Sequence, residues 1–242
     1  MKKSLVLLFC SLSFLCAAQT PPDDAQILRD INDSESVFYY PSLLKRYMKA
    51  DETLTAEDYQ HLYYGYAQEP QYEPLKAVND NGLLAEFASN KNPEKQDYEK
   101  VILFLESSIK VDPFNLAYIN MLAHAYRMVG DTDKETANSR RLTMLMNTIM
   151  SSGTGKKEKS AWQIISPFHA EDVLNYLDLA HKSPIPISIY CQYYPLFEKH
   201  NKIKGYYFDF RRIYLKVPED AGRQFSPGSR GFEINGTPIK KK

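Results

Sequence analysis

Residues 96–137 hold three helical periods separated only by tight turns, a unit too short to close on itself. Tyr98, Val101, Ile102, Leu105 and Ile109 keep helical spacing to about Val111, so one face of that segment is apolar. Pro93 suits its first turn, and Asp112-Pro113 ends it. Leu116, Ile119, Leu122, Ala123 and Tyr126 form the next stripe, closed by Gly130 in the C-cap position. Thr132 with Glu135 predicts a capping box that opens a third helix, whose Leu142, Leu145, Met146 and Ile149 face inward to about Met150.

Tyr98-Glu99-Lys100, Asp112-Pro113, Leu122-Ala123-x-Ala125-Tyr126 and Gly130-Asp131 are similar in spacing to a tetratricopeptide repeat of about 34 residues. Only one and a half repeats are visible, whereas such arrays need about three to bury a continuous core. The open face therefore has to be covered by the rest of the chain.

Upstream, residues 25–32 predict a short helix, and Leu43, Leu44, Tyr47 and Met48 a second that begins at Pro41-Ser42. Thr55 and Asp58 are placed to cap a third, on which Tyr59, Leu62, Tyr63 and Tyr66 make one aromatic stripe. Pro70 and Pro74 stop it, and a less regular stretch runs to Asn92. Downstream, residues 151–157 read as a flexible, basic connector, and Ala161 to Ile165 as a strand. Ser166-Pro167 opens a helix carrying Val173, Leu174 and Leu177. Ile187, Ile189, Cys191 and Tyr193 alternate with polar or aromatic neighbours as one strand. A longer run from Ile203 to Lys216 puts Tyr206, Phe208 and Phe210 on one face and slips at Arg211-Arg212, which predicts a bulge.

The expected fold is thus α+β, with a mostly helical, tetratricopeptide-like N-terminal half and a C-terminal half of a small antiparallel sheet plus a helix. The expected segments are a signal peptide over 1–18, the helical region over 19–150, a connector over 151–160, the docked α+β region over 161–217 and a flexible tail over 218–242.

The signal is read from Lys2 and Lys3, the apolar run Leu5 to Leu15, and the small-residue end Cys16-Ala17-Ala18. That run falls short of the roughly 20 residues of a membrane-spanning helix, so export to the periplasm or beyond, with cleavage after Ala18 and no transmembrane segment left, is expected. Cleavage leaves 28 basic against 30 acidic side chains, a net −2 that argues against nucleic acid as a partner. Only Cys191 then remains, so no intramolecular disulfide can form and the core must hold the fold.

Leu62-Tyr63-Tyr64-Gly65-Tyr66, Asp112-Pro113-Phe114-Asn115, Ser151-Ser152-Gly153-x-Gly155 leading to Ala161, and Lys204-Gly205-Tyr206-Tyr207-Phe208-Asp209 resemble domain of unknown function family 4919 of exported Bacteroidetes proteins, over about residues 35–217. The chain departs from that pattern at Thr154, where the family often has an acid, and in its long basic tail. The resemblance implies a tetratricopeptide-like part joined to an α+β part in the cell envelope or outside it. No substrate or catalytic residue comes with it.

Residues 150–157 lack the first glycine and the final Ser or Thr of a phosphate-binding loop. Cys191 lies on an apolar strand face, which suits packing better than nucleophilic chemistry. His169, Glu171 and Asp172 lack a second histidine one turn on, so no metal site is expected, and no cofactor is. The expected function is a non-enzymatic protein- or peptide-binding or scaffolding module of the envelope, with a groove lined by Tyr59, Tyr63, Tyr66, Leu122 and Tyr126. The alternative is an envelope hydrolase or transferase that uses Cys191 or an acidic pair.

Overall fold

A computed structural model describes residues 19, 21–76 and 82–216. The signal over 1–18 and the tail over 218–242 lie outside the described residues. Among those described, seven helices come first: α1 (Asp24–Asn32), α2 (Tyr40–Met48), α3 (Ala56–Tyr66), α4 (Leu83–Ser89), α5 (Lys95–Val111), α6 (Leu116–Val129) and α7 (Thr132–Ser151). The C-terminal half adds β1 (Trp162–Gln163), α8 (His169–Tyr176), β2 (Ile185–Pro186), β3 (Cys191–His200), β4 (Ile203–Asp209) and α9 (Arg211–Lys216).

Local chemistry sets the helix ends. Thr55 and Asp58 form the capping box that opens α3, each accepting from the other's backbone N–H. Gly130, at φ 84°, takes the left-handed conformation that ends α6. At α7 the expected Thr132–Glu135 box is not formed: the cap is Asp131, whose carboxylate accepts from Lys134 N at 3.1 Å. The helix begins one residue earlier than the box required, because a carboxylate at 131 reaches the orphan amides first. α5 likewise starts at Lys95 behind a Glu94 cap, with Pro93 outside it.

α3 is the axis of the molecule. The expected stripe is buried, and so are His61, Tyr64 and Gly65 on its other sides. α1, α2 and α7 pack around it, and the C-terminal half closes the remainder. A methyl at Gly65 would lie 3.2 Å from Ile31 Cγ2, so a side chain there would push α1 outward. One hydrophobic core runs from Ile27 and Ile31 through Leu62, Leu105 and Leu145 to Val173, Phe208 and Ile213. Each fully buried leucine contributes roughly 2–3 kcal/mol by leaving water.

The sheet corrects three readings. It is mixed, not antiparallel: the order is β1-β4-β3-β2, with β1 parallel to β4 and the other pairs antiparallel. The expected strand from Ile187 to Tyr193 is broken by a turn, in which Ile187 N donates to Cys191 O at 2.9 Å. Ile187 and Ile189 are consequently exposed while Cys191 is buried. The bulge expected at Arg211-Arg212 is the start of α9, with Asp209 Oδ1 accepting from Arg211 N at 2.8 Å. The slip in alternation marks a change from strand to helical period.

Hydrogen bonds tie the connector, expected to be loose, to β1 and β4. Trp162 Nε1 donates to Gly153 O, Gly155 N to Ser160 O and Tyr207 N to Gly155 O. Gly155 sits at φ 64°, and a Cβ there would stand 2.8 Å from the Trp162 ring. Only glycine combines that backbone angle with that close approach.

Candidate functional site

The five residues expected to line a groove are all buried. Tyr63 has no exposed surface. Its hydroxyl accepts from Ile165 N at 3.3 Å and donates to His169 Nδ1 at 2.7 Å. His169 Nε2 in turn donates to Phe114 O at 3.0 Å, which fixes the tautomer. Tyr66 packs on Tyr72 and Phe114, and Tyr59 stands edge-on to Tyr47. The C-terminal half therefore occupies the face that Tyr63 was expected to leave open, and Tyr59, Tyr63 and Tyr66 are core.

Leu122 and Tyr126 are different. They lie on a cavity of about 280 Å³ bounded by α2, α5, α6 and α7. Its walls also carry Met48, Lys49, Lys110, Ala137, Asn138 and Arg141. Tyr126 Oη donates to Glu106, and burial, with Glu106 second, pushes the phenol well above its usual range. Lys134 Nζ lies 4.8 Å from the Tyr126 ring centre and 3.8 Å from Glu106 Oε1. Arg141 donates to Tyr47 O and Asn138 Oδ1 and stacks over the Tyr47 ring at 4.7 Å. The lining thus joins an apolar floor to four cations and one carboxylate. Asn138 and Arg141 escaped the sequence reading because polar residues on an apolar helix face count against periodicity. The spacing of 138, 141, 142 and 145 was the available signal.

A second, more open cavity of about 450 Å³ brings Asp30, Ser36, Phe38, Glu57 and His61 together. A serine, a histidine and an aspartate in one cavity raise the question of a catalytic triad. The geometry does not supply one. His61 Nδ1 faces Glu57 O at 2.9 Å and Nε2 faces Asp30 Oδ2 at 3.0 Å, so no ring nitrogen is left to take a proton from Ser36. The Ser36 hydroxyl accepts from Phe38 N in a local turn, and Phe38 stacks on His61 at 3.8 Å.

Cys191 is 4% exposed, and burial pushes its thiol up to about 12. Its recorded partner is Gln192 O at 3.9 Å, which activates nothing. His169, committed at both nitrogens, is pulled down to about 3 by burial. Among the described residues no group of three His, Cys, Asp or Glu side chains is placed to hold a metal ion. Nor is any helix long and apolar enough to cross a membrane.

No curated protein and no solved structure matches the chain. A family model, described as Domain of unknown function (DUF4919), matches residues 25–217, which takes in α2 through α9, all of α1 but Asp24, and the cavity over Tyr126. The chain belongs to that family.

Proposed function

We propose that this is an exported, non-enzymatic binding or scaffolding module of the cell envelope, and that the cavity over Leu122 and Tyr126 seats a segment of a protein or peptide partner. The observation that carries the reading is that cavity, set where the helical hairpins leave an apolar floor inside a ring of charge. With four cations against Glu106, a segment bearing an acidic side chain fits it better than a basic one. Export rests on the order of basic, apolar and small residues in 1–18. The non-enzymatic reading draws support from the state of the candidate nucleophile and bases: Cys191 is a buried thiol, and His61 and His169 are fully engaged.

The test uses Ala137, which lines the cavity yet is only half-buried, so Ala137→Arg fills the space without opening the core. Mature wild-type protein and the variant are used as baits on the cell's own envelope extract. A partner retained by wild type and lost by Ala137→Arg supports the reading. Equal retention by both baits, or turnover of envelope material by either, sinks it.

A further inference from the structure

Among the described residues, the second face of the sheet is left partly exposed. Tyr194, Leu196, Tyr206 and Phe208 turn inward and are buried. On the opposite face the register sets Ile185 against Tyr193 and Tyr193 against Tyr207, whose rings lie 4.7 Å apart. Ile185 is 48% exposed, and Ile187 and Phe197 are exposed as well. β3 and β4 then run on to a turn at Asn201 and Lys202, both at positive φ (49° and 69°), the conformation that suits a tight two-residue hairpin.

This tip is basic. Lys199, Lys202 and Lys204 stand on it, and Lys182 Nζ lies 5.9 Å from the Phe197 ring centre. Glu198 is the one acid between 197 and 204. Among the described residues none of the four lysines pairs with a carboxylate, although eight other lysines and arginines do so. Among the described residues the charge is therefore unpaired, and it rims an apolar, aromatic surface.

We propose that this face and hairpin tip seat on an anionic phospholipid bilayer, with Phe197, Ile185 and Ile187 at the headgroup boundary and the four lysines on lipid phosphates. Other occupants fit less well. A peptide added as a further strand beside β2 would meet Pro184 and Pro186, which have no N–H to donate. Lysine is depleted from protein–protein interfaces, and of the well-exposed apolar side chains here only Phe197 gives a sugar ring a face to stack on, Ile185 and Ile187 being aliphatic. An anionic leaflet rewards both features at once, since each lysine near it strengthens binding and the aromatic ring sits well at headgroup level. None of these residues lines the cavity over Tyr126, so the two readings fail separately.

The experiment is co-sedimentation of the mature chain with vesicles of phosphatidylcholine alone or with about one third phosphatidylglycerol. Selective, salt-sensitive binding to the anionic vesicles is expected. Replacing Lys199, Lys202 and Lys204 together by Gln should weaken it roughly a hundredfold, about fivefold for each lysine. Phe197→Ser should weaken it with every lysine in place. These side chains are exposed, so the thermal midpoint of each variant should match wild type and keep folding out of the readout. Three results would overturn the proposal: equal binding to neutral vesicles, unchanged binding by the triple variant, which would point to Lys240–Lys242 or another basic site, and retention on an anionic polysaccharide without retention on vesicles.

Discussion

Tyr40 and Tyr63 share one core and have opposite hydrogen-bonding fates. The Tyr63 hydroxyl connects Ile165 N to the His169 imidazole, so Tyr63→Phe leaves a buried donor and a buried acceptor without partners. That should cost about 1–3 kcal/mol. The Tyr40 hydroxyl is buried with no partner among the described residues, and burial holds its phenol far above the ordinary range. Tyr40→Phe removes a group that is desolvated for no return, so stability should stay level or rise by up to about 1 kcal/mol. Urea unfolding at constant slope separates the two. Equal midpoints for the two variants would mean that the Tyr63 network contributes nothing beyond shape.

At the scale of elements, the start of α7 decides between two caps that the sequence offers one residue apart. Asp131→Ala should cost about 1 kcal/mol, because it frees the Lys134 amide, while Thr132→Ala should cost less than about 0.5 kcal/mol. The reverse order in a thermal-melt comparison would restore the Thr132–Glu135 box. Much of this level was legible in advance: the α3 capping box, the α6 glycine end and the apolar periods of α5, α6 and α7 are local patterns, and local patterns survive folding. α4 was not, because seven residues in a Pro- and Asn-flanked stretch carry too few turns for a period to show. The turn at Ser188 to Tyr190 has no Gly, Pro or Asn to announce it, so the residues from Ile187 on read as one strand with the start of β3, and β2 was not seen. Of the five residues expected to line a groove, two border the cavity. Leu122 and Tyr126 were found on their stripe, but Tyr63 closes against His169, 106 positions away, and no local pattern carries that distance.

For the whole molecule, the decisive contacts cross between the halves. Tyr72 Oη donates to Ile165 O at 2.5 Å, and Arg212 of α9 pairs with Asp24 of α1 while stacking over Tyr64 at 4.5 Å. If those contacts make one cooperative body, fluorescence of Trp162, the lone tryptophan, must report the same unfolding midpoint as far-UV ellipticity, which is dominated by the N-terminal helices. The seam also sets the response to pH. His169, held near 3 when folded, takes up a proton near 6.5 once unfolded, so its contribution is lost as pH falls from about 6.5 to 3. Asp172 works in the other direction: burial first and Glu171 second raise it to about 7, so its contribution is lost as pH rises from about 3.8 to 7. In wild type the two effects oppose each other across the same window. Asp172→Asn removes only the second. The variant should match wild type near pH 4, exceed it by about 1–2 kcal/mol above pH 7 once the partial exposure of Asp172 is discounted, and lose stability more steeply on acidification, with both probes moving together. Parallel pH profiles for the two proteins would mean that Asp172 titrates like an ordinary surface carboxylate, and separate midpoints for the two probes would mean that the halves unfold independently.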